Sequence, residues 1–205
     1  MYLVHHGDAR KLMSKANGLK AMITDPIWPN HQKVFTLEES AQEILRSTVE
    51  VLPESIERIV IVLGGDSDPR FLFETIPAKW PFLKTCFLEY CAPARKGRNL
   101  YTHLMAYAFG KWPPSKPGAR VIPTKHMSKE SSKRLTWHPC PMRVSHCSWL
   151  VKWFGEGGVL DPFAGSGSFG VACKQHRTPY VGFEINEDWA TKAQERIDAE
   201  PEPWC

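Results

Sequence analysis

The stretch Gly157-Gly-Val-Leu-Asp-Pro-Phe-Ala-Gly-Ser-Gly-Ser-Phe-Gly-Val-Ala-Cys173 constrains the fold of this chain more than any other. Val159 and Leu160 predict the end of a buried strand, and Asp161-Pro162 stops it. Gly165, Gly167 and Gly170 predict a tight turn, and Val171 to His176 the helix it opens into. Glycines let the backbone turn sharply and approach a ligand closely. A new helix also presents unpaired N–H groups to an anionic group. A second strand, Tyr180 to Ile185, carries an acid, Glu184, 19 residues after Gly165. That is about where a ribose-binding carboxylate falls in a nucleotide-binding βαβ unit. A nicotinamide site satisfies the same glycine spacing, so spacing alone leaves the nucleotide open.

The expected fold class is α/β: a doubly wound, mostly parallel sheet. With 205 residues, the chain is long enough for one well-buried domain. Residues 1–205 are expected to form that single domain, with 92–136 as a small basic insertion. Tyr2–His5 predicts a strand ended by Gly7-Asp8, and Ala9–Asn17 a short helix with Leu12 and Met13 inward. Lys20–Thr24 predicts a second strand, ending in Asp25-Pro-Ile-Trp. Thr36–Leu52 has helical periodicity, with Thr36 as cap and Leu37, Ala41, Ile44, Leu45 and Val49 on one face. The β-branched run Ile59–Leu63 predicts a central parallel strand. Phe82–Tyr90 and Tyr101–Phe109 predict an antiparallel pair, with Pro93–Arg98 as a loop between them. Lys111–Arg134, rich in proline, is expected to be irregular, and Val144–Phe154 and Glu187–Ala199 to be helices.

Charge is unevenly spread. Between Ala92 and Thr136 there are ten Lys or Arg against one acid, Glu130, although the whole chain carries only +4. Tyr101, Tyr107, Phe109 and Trp112 interleave with them. Basic residues with aromatics suit a polyanion surface. The candidate nucleic-acid contacts are Arg95, Lys96, Arg98, Lys111, Lys116, Arg120 and Lys125. The six cysteines form no C-x-x-C pair, which predicts reduced thiols and a cytoplasmic protein, and no metal is expected. No apolar run approaches the about 20 residues of a membrane helix.

Two further elements sharpen the functional reading. Asp25-Pro26-Ile27-Trp28 resembles motif IV of the S-adenosylmethionine-dependent amino-methyltransferases, and Asp161-Pro-Phe-Ala-Gly-Ser-Gly167 resembles their motif I. Trp137-His-Pro-Cys-Pro-Met142 resembles the His-Pro element that precedes motif I, with Met142 and Arg143 in place of its Lys-Pro. The order of these elements resembles the permuted β-type enzymes of restriction–modification systems and phages, often dimers.

The resemblance implies methyl transfer from S-adenosylmethionine to an exocyclic amino group of a DNA base flipped out of the helix. Asp25 and the Pro26 carbonyl would accept the amino hydrogens and Trp28 would stack on the base. The cofactor would lie across Asp161, Phe163, Gly165 and Gly167, with Glu184 on the ribose, His138 near the amino-acid end and Asp8 near the adenine. Adenine N6 is the expected target. Cytosine N4, an RNA substrate and a non-catalytic nucleic-acid-binding subunit are the alternatives. Ile27 departs from the family's second proline, which leaves the rigidity of that loop to be explained.

Overall fold

The computed structural model describes residues 1–30, 39–115, 121–130 and 135–203, with Lys96 by its backbone alone. Eight strands form one sheet in the order β1-β8-β7-β2-β3-β5-β4-β6. They are β1 (Tyr2–His6), β2 (Ala21–Thr24), β3 (Arg58–Gly64), β4 (Phe82–Lys96), β5 (Asn99–Gly110), β6 (Lys125–Ser128), β7 (Val159–Asp161) and β8 (Tyr180–Glu184). All pairings are parallel except those of β5 with β3 and β4, so the sheet is mostly parallel as expected.

Alternation along the strands feeds two cores. Ile59, Ile61 and Leu63 face one core with Leu45 and Val49 of α2 (Ala41–Glu50) and Phe71 and Leu72 of α3 (Arg70–Thr75). Val60 and Val62 face the other, with Leu150 and Phe154 of α4 (Val144–Phe154), Val171 of α5 (Ser168–Gln175) and Ile197 of α6 (Glu187–Ala199). Both faces of β3 are therefore covered, which explains its unbroken apolar run. Among the described residues no helix is long and apolar enough to cross a membrane.

Four local expectations are corrected. The first helix is split: α1 spans Ala9–Leu12, capped by Asp8, and a 3-10 turn Met13–Ala16 follows. The next helix begins at Ala41, where Ser40 and Glu43 form a reciprocal capping box. Thr36 and Leu37 lie outside the described residues, and Glu39 pairs with Arg10. Pro93–Lys96 continues β4, and only Gly97-Arg98 turns. The irregular stretch contains β6, held parallel on β4 by Phe87↔Lys125 to Tyr90↔Ser128 and to α4 by a 2.6 Å hydroxyl bond between Ser128 and Ser145. The basic span 92–136 thus supplies the end of β4, all of β5 and β6 to the sheet.

The amino edge of the sheet is gathered by Arg58, whose side chain is 2% exposed. Its guanidinium donates to the carbonyls of Glu156 (2.8 Å), Phe154 and Lys111 (3.4 Å each), tying β3 to the ends of α4 and β5. Arg58→Ala leaves those carbonyls short of a donor and should cost about 2–3 kcal/mol, readable as a lower midpoint in urea unfolding.

Candidate active site

The carboxyl ends of β1, β8, β7, β2 and β3 lie side by side, and each delivers a residue of interest: Asp8, Glu184, Asp161, Asp25 and Gly64. The chain winds outward in opposite directions from β7 and β2, so the switch point of the sheet lies between Asp161 and Asp25. That crevice is where open α/β sheets bind ligands.

Asp161 is wholly buried. Its Oδ1 accepts from Thr24 Oγ1 (2.6 Å) and from the Phe163 N–H (3.2 Å), and its Oδ2 accepts from the Tyr180 hydroxyl (3.3 Å). The carboxylate therefore ties β2, β7 and β8 together and shapes the following turn, rather than facing outward as a ligand contact. Thr24 and Tyr180 were not foreseen as site residues, since nothing in the sequence showed which way Asp161 points.

Asp25 follows Thr24 and is half-buried. Its Oδ1 accepts from Trp28 Nε1 at 2.8 Å. Burial pushes its carboxyl up from 3.8 to about 7, the Trp28 donor pulls it down, and the Asp161 charge adds to the rise. Burial likewise pushes Asp161 up to about 7 against its hydrogen-bond donors. Both carboxyls hold protons more tightly folded than unfolded. Their contribution to stability is thus fully present below about pH 4 and is lost as pH rises through about 7.

Trp28 is half-buried and packs against both cores. Its ring lies on Gly64, where an added Cβ would stand 2.5 Å from Cζ3 and 2.9 Å from Cε3. Ser67 Oγ donates to Asn30 Oδ1 at 2.8 Å, closing the same loop onto the end of β3. No backbone hydrogen bond to the Pro26 carbonyl forms among the described residues.

The glycine turn is built as expected. Gly165 (φ 50°) and Gly167 (φ 73°) occupy left-handed conformations, and Gly167 caps α5. Gly170 lies within α5, where an added Cβ would crowd Ile197 of α6. Its role is helix packing. Glu184, 7% exposed, accepts from the Gly165 N–H on Oε2 and the Asn186 N–H on Oε1, both at 2.9 Å. Burial raises its pKa and the backbone donors oppose that. Phe163 and Gly165 remain half-exposed beside it.

His138 lies over this turn, its Nε2 3.0 Å from where a Cβ on Gly165 would be. Its ring packs 4.7 Å from that of Trp189, and burial, then Arg196, pushes it down to about 4. Arg196, which sequence reasoning missed, donates to the Ser166 carbonyl at 2.8 Å and to Ser168 Oγ at 3.1 Å. Asp8 stands at the same edge, but its carboxylate is taken by Arg10 (2.8 Å), which also lowers its pKa.

The basic residues divide. Arg95 and Arg98 are exposed at the β4–β5 hairpin tip, beyond the carboxyl edge, since Leu104 already pairs with Gly64. Lys125 is exposed and bridges to Glu89 at 3.5 Å. Lys111 is misplaced by the sequence reading: its N–H donates to the Glu57 carbonyl at the amino edge, across the sheet from the site. Lys116 and Arg120 lie outside the described residues, as does the Lys96 side chain.

Comparison with known proteins adds the chemical context. Residues 111–195 match the family model for DNA methylase of the N6/N4 type. The matched segment is less than half of this chain. It contains the His-Pro element, the glycine turn and Glu184; Asp25 and Trp28 precede it. The type II methyltransferase M.SmaI of Serratia marcescens is 54% identical over 41 residues, covering 20% of this chain and 14% of that one. "Putative methylase YubD" of Escherichia coli (strain K12) is 36% identical over 101 residues, covering 48% of this chain and 43% of that one. The matches thus span less than half the length of either relative. The fold extends further: a crystal structure of the M1.HpyAVI-SAM complex superposes over 97% of this chain and 100% of its own, with a TM-score of 0.72 and 21% identity.

The seat of Trp28 can be tested by a double-mutant cycle. Gly64→Ala should destabilise the protein by about 1–3 kcal/mol through the clash with the indole. The penalty should largely vanish in a Trp28→Ala background, read by chemical denaturation.

Proposed function

We propose that the protein is an S-adenosylmethionine-dependent methyltransferase acting on the exocyclic amino group of a DNA base, adenine N6 before cytosine N4. The observation that carries this reading is the Asp25–Trp28 unit at the switch point, one residue from the Asp161 junction and across the β2–β7 seam from the glycine turn.

The residues present fit the cofactor. Each Glu184 oxygen accepts one backbone N–H and keeps capacity for a hydroxyl donor, as a ribose requires. Half-exposed Phe163 offers an apolar face, and His138 would border the amino-acid end. Asp161 is assigned a positioning role, holding Phe163 N–H and Thr24 in place. Asp8, engaged by Arg10, would act on the adenine side only through the geometry of that pair. When bound, S-adenosylmethionine supplies an electrophilic methyl on a sulfonium.

The chain's own part is to prepare the amine. The lone pair of an aromatic amine is delocalised into the ring. The Asp25 carboxylate and the Pro26 carbonyl, accepting its two hydrogens, favour a pyramidal nitrogen with its lone pair free. Asp25 Oδ1 is held by Trp28, which leaves Oδ2 for the amine. The nitrogen gains a methyl and must lose a proton, and an ionised Asp25 is the acceptor in place. Flipping the base costs a few kcal/mol. Contact with Trp28 and with the exposed cations Arg95, Arg98 and Lys125 would offset it. The segment 92–136 is on this reading the target-recognition surface, less Lys111.

The test is transfer of labelled methyl from S-adenosylmethionine to unmodified duplex DNA, followed by nucleoside analysis. N6-methyladenine is expected, and Asp25→Ala should lower the rate by on the order of 10²-fold or more. N4-methylcytosine would change the target only. No transfer to DNA or RNA by the wild type would sink the enzyme reading. The pH profile is a separate check. Asp25 acts ionised, so kcat/KM should fall tenfold per unit below about pH 7 and level off above it, the apparent pKa belonging to the Asp25–Asp161 pair.

A further inference from the structure

One half-buried cation makes no described hydrogen bond or ion pair. Arg143 caps α4, and its guanidinium carbon lies 4.4 Å over the Tyr90 ring. Its Nη1 is covered by protein yet makes no hydrogen bond, and no ion pair to it forms among the described residues. The one acid close by in sequence, Glu130, has its carboxylate on the Ser145 N–H at 3.0 Å. Leaving a covered charged donor unsatisfied costs about 1–3 kcal/mol or more. A planar guanidinium is matched best by a phosphate or carboxylate taken with two N–H groups.

The surroundings place this group on the substrate side. Tyr90 closes the β4 segment that pairs with β6, and its ring packs 5.5 Å from that of His146. His146 is buried, with Nε2 3.0 Å from the Glu89 carbonyl, and burial pushes it down to about 4. It is therefore neutral near pH 7 and adds no positive charge beside Arg143. Leu88 pairs with Leu104, which pairs with Gly64, so Tyr90 stands past the carboxyl end of β3 and packs against the same core as Trp28. The residue before Arg143 is anchored: the Met142 carbonyl accepts from Ser168 Oγ at 2.9 Å. Arg143 thus extends from a point fixed at the start of α5 to Tyr90, on the carboxyl side of the sheet.

We propose that Arg143 is a further nucleotide-contacting residue, which leaves its stacked position on Tyr90 to hold the phosphate next to the base in the Asp25–Trp28 pocket. The inference rests on the methyltransferase reading. It also gives a use to one of the two residues, Met142 and Arg143, at which the His-Pro element departs from the pattern it resembles.

The experiment measures binding of a fluorescent DNA duplex across a salt series, with S-adenosylmethionine binding measured in parallel. Arg143→Met keeps the apolar stem on Tyr90 and removes the charge. DNA affinity should fall on the order of tenfold and the salt slope by about one, with cofactor affinity unchanged. Arg143→Lys should keep most of the slope and lose part of the affinity, and it carries the test should the methionine variant fail to fold. Unchanged DNA binding in both variants would overturn the proposal, as would a loss of cofactor binding in place of DNA binding. If the wild type itself binds no DNA, the methyltransferase reading fails, and this inference with it.

Discussion

The site depends on one buried carboxylate. Asp161 receives the Thr24 and Tyr180 hydroxyls and the Phe163 N–H, so it joins β2, β8 and the turn after β7 at a single point. Thr24 is 137 residues away along the chain. Hydrogen bonds alone stabilise such a junction modestly. Removing a partner from a buried carboxylate is costly, because the remaining charge then stands in a low-dielectric interior. The junction is therefore specific more than strong. It fixes the height of β2 against β7, and Asp25, the next residue after Thr24, is delivered to the crevice by that register.

The parts legible in the sequence were those with local causes. The glycine turn, β3 and α6 each carry their own signal: positive φ, a β-branched run, acids at a helix start. Ser40 caps α2 and Glu43 completes its box, while Glu39 pairs with Arg10; Thr36, the expected cap, lies outside the described residues. Edge and direction were not legible at all. Lys111 has the same composition around it as the other basic residues, yet the Arg58↔Gly110 register carries it to the amino edge. Asp161 was visible as an acid ending a strand, but its inward direction follows from Thr24 and Tyr180, which only the assembled sheet brings near.

The departure at Ile27 has a structural answer. A second proline would stiffen the loop through its backbone. Here stiffness comes from the side chain of Trp28, pinned by Asp25 at one end and seated on Gly64 at the other. The lock is tertiary: it needs β3 in place, so the loop acquires its shape only when β2 and β3 are paired. The indole N–H also favours the ionised form of Asp25, against the burial that disfavours it.

That balance bears on how a site lined by acids could accept a polyanion. Asp25 and Glu184 border the crevice and Asp161 lies buried behind it, and full negative charge on all three would repel phosphate. Burial pushes Asp25 and Asp161 up to about 7, so this pair holds part of a proton near neutral pH and the negative field there is reduced. His138 and His146 are pushed down and stay neutral, so they do not compensate. Positive charge is supplied from the rim, by Arg95 and Arg98 at the hairpin tip and by Arg143 at the wall. Coulomb attraction between exposed charges fades over about 8 Å at physiological salt. Cations placed beyond the carboxyl edge can therefore hold a phosphate backbone while leaving the buried carboxyl pair free to set its own protonation.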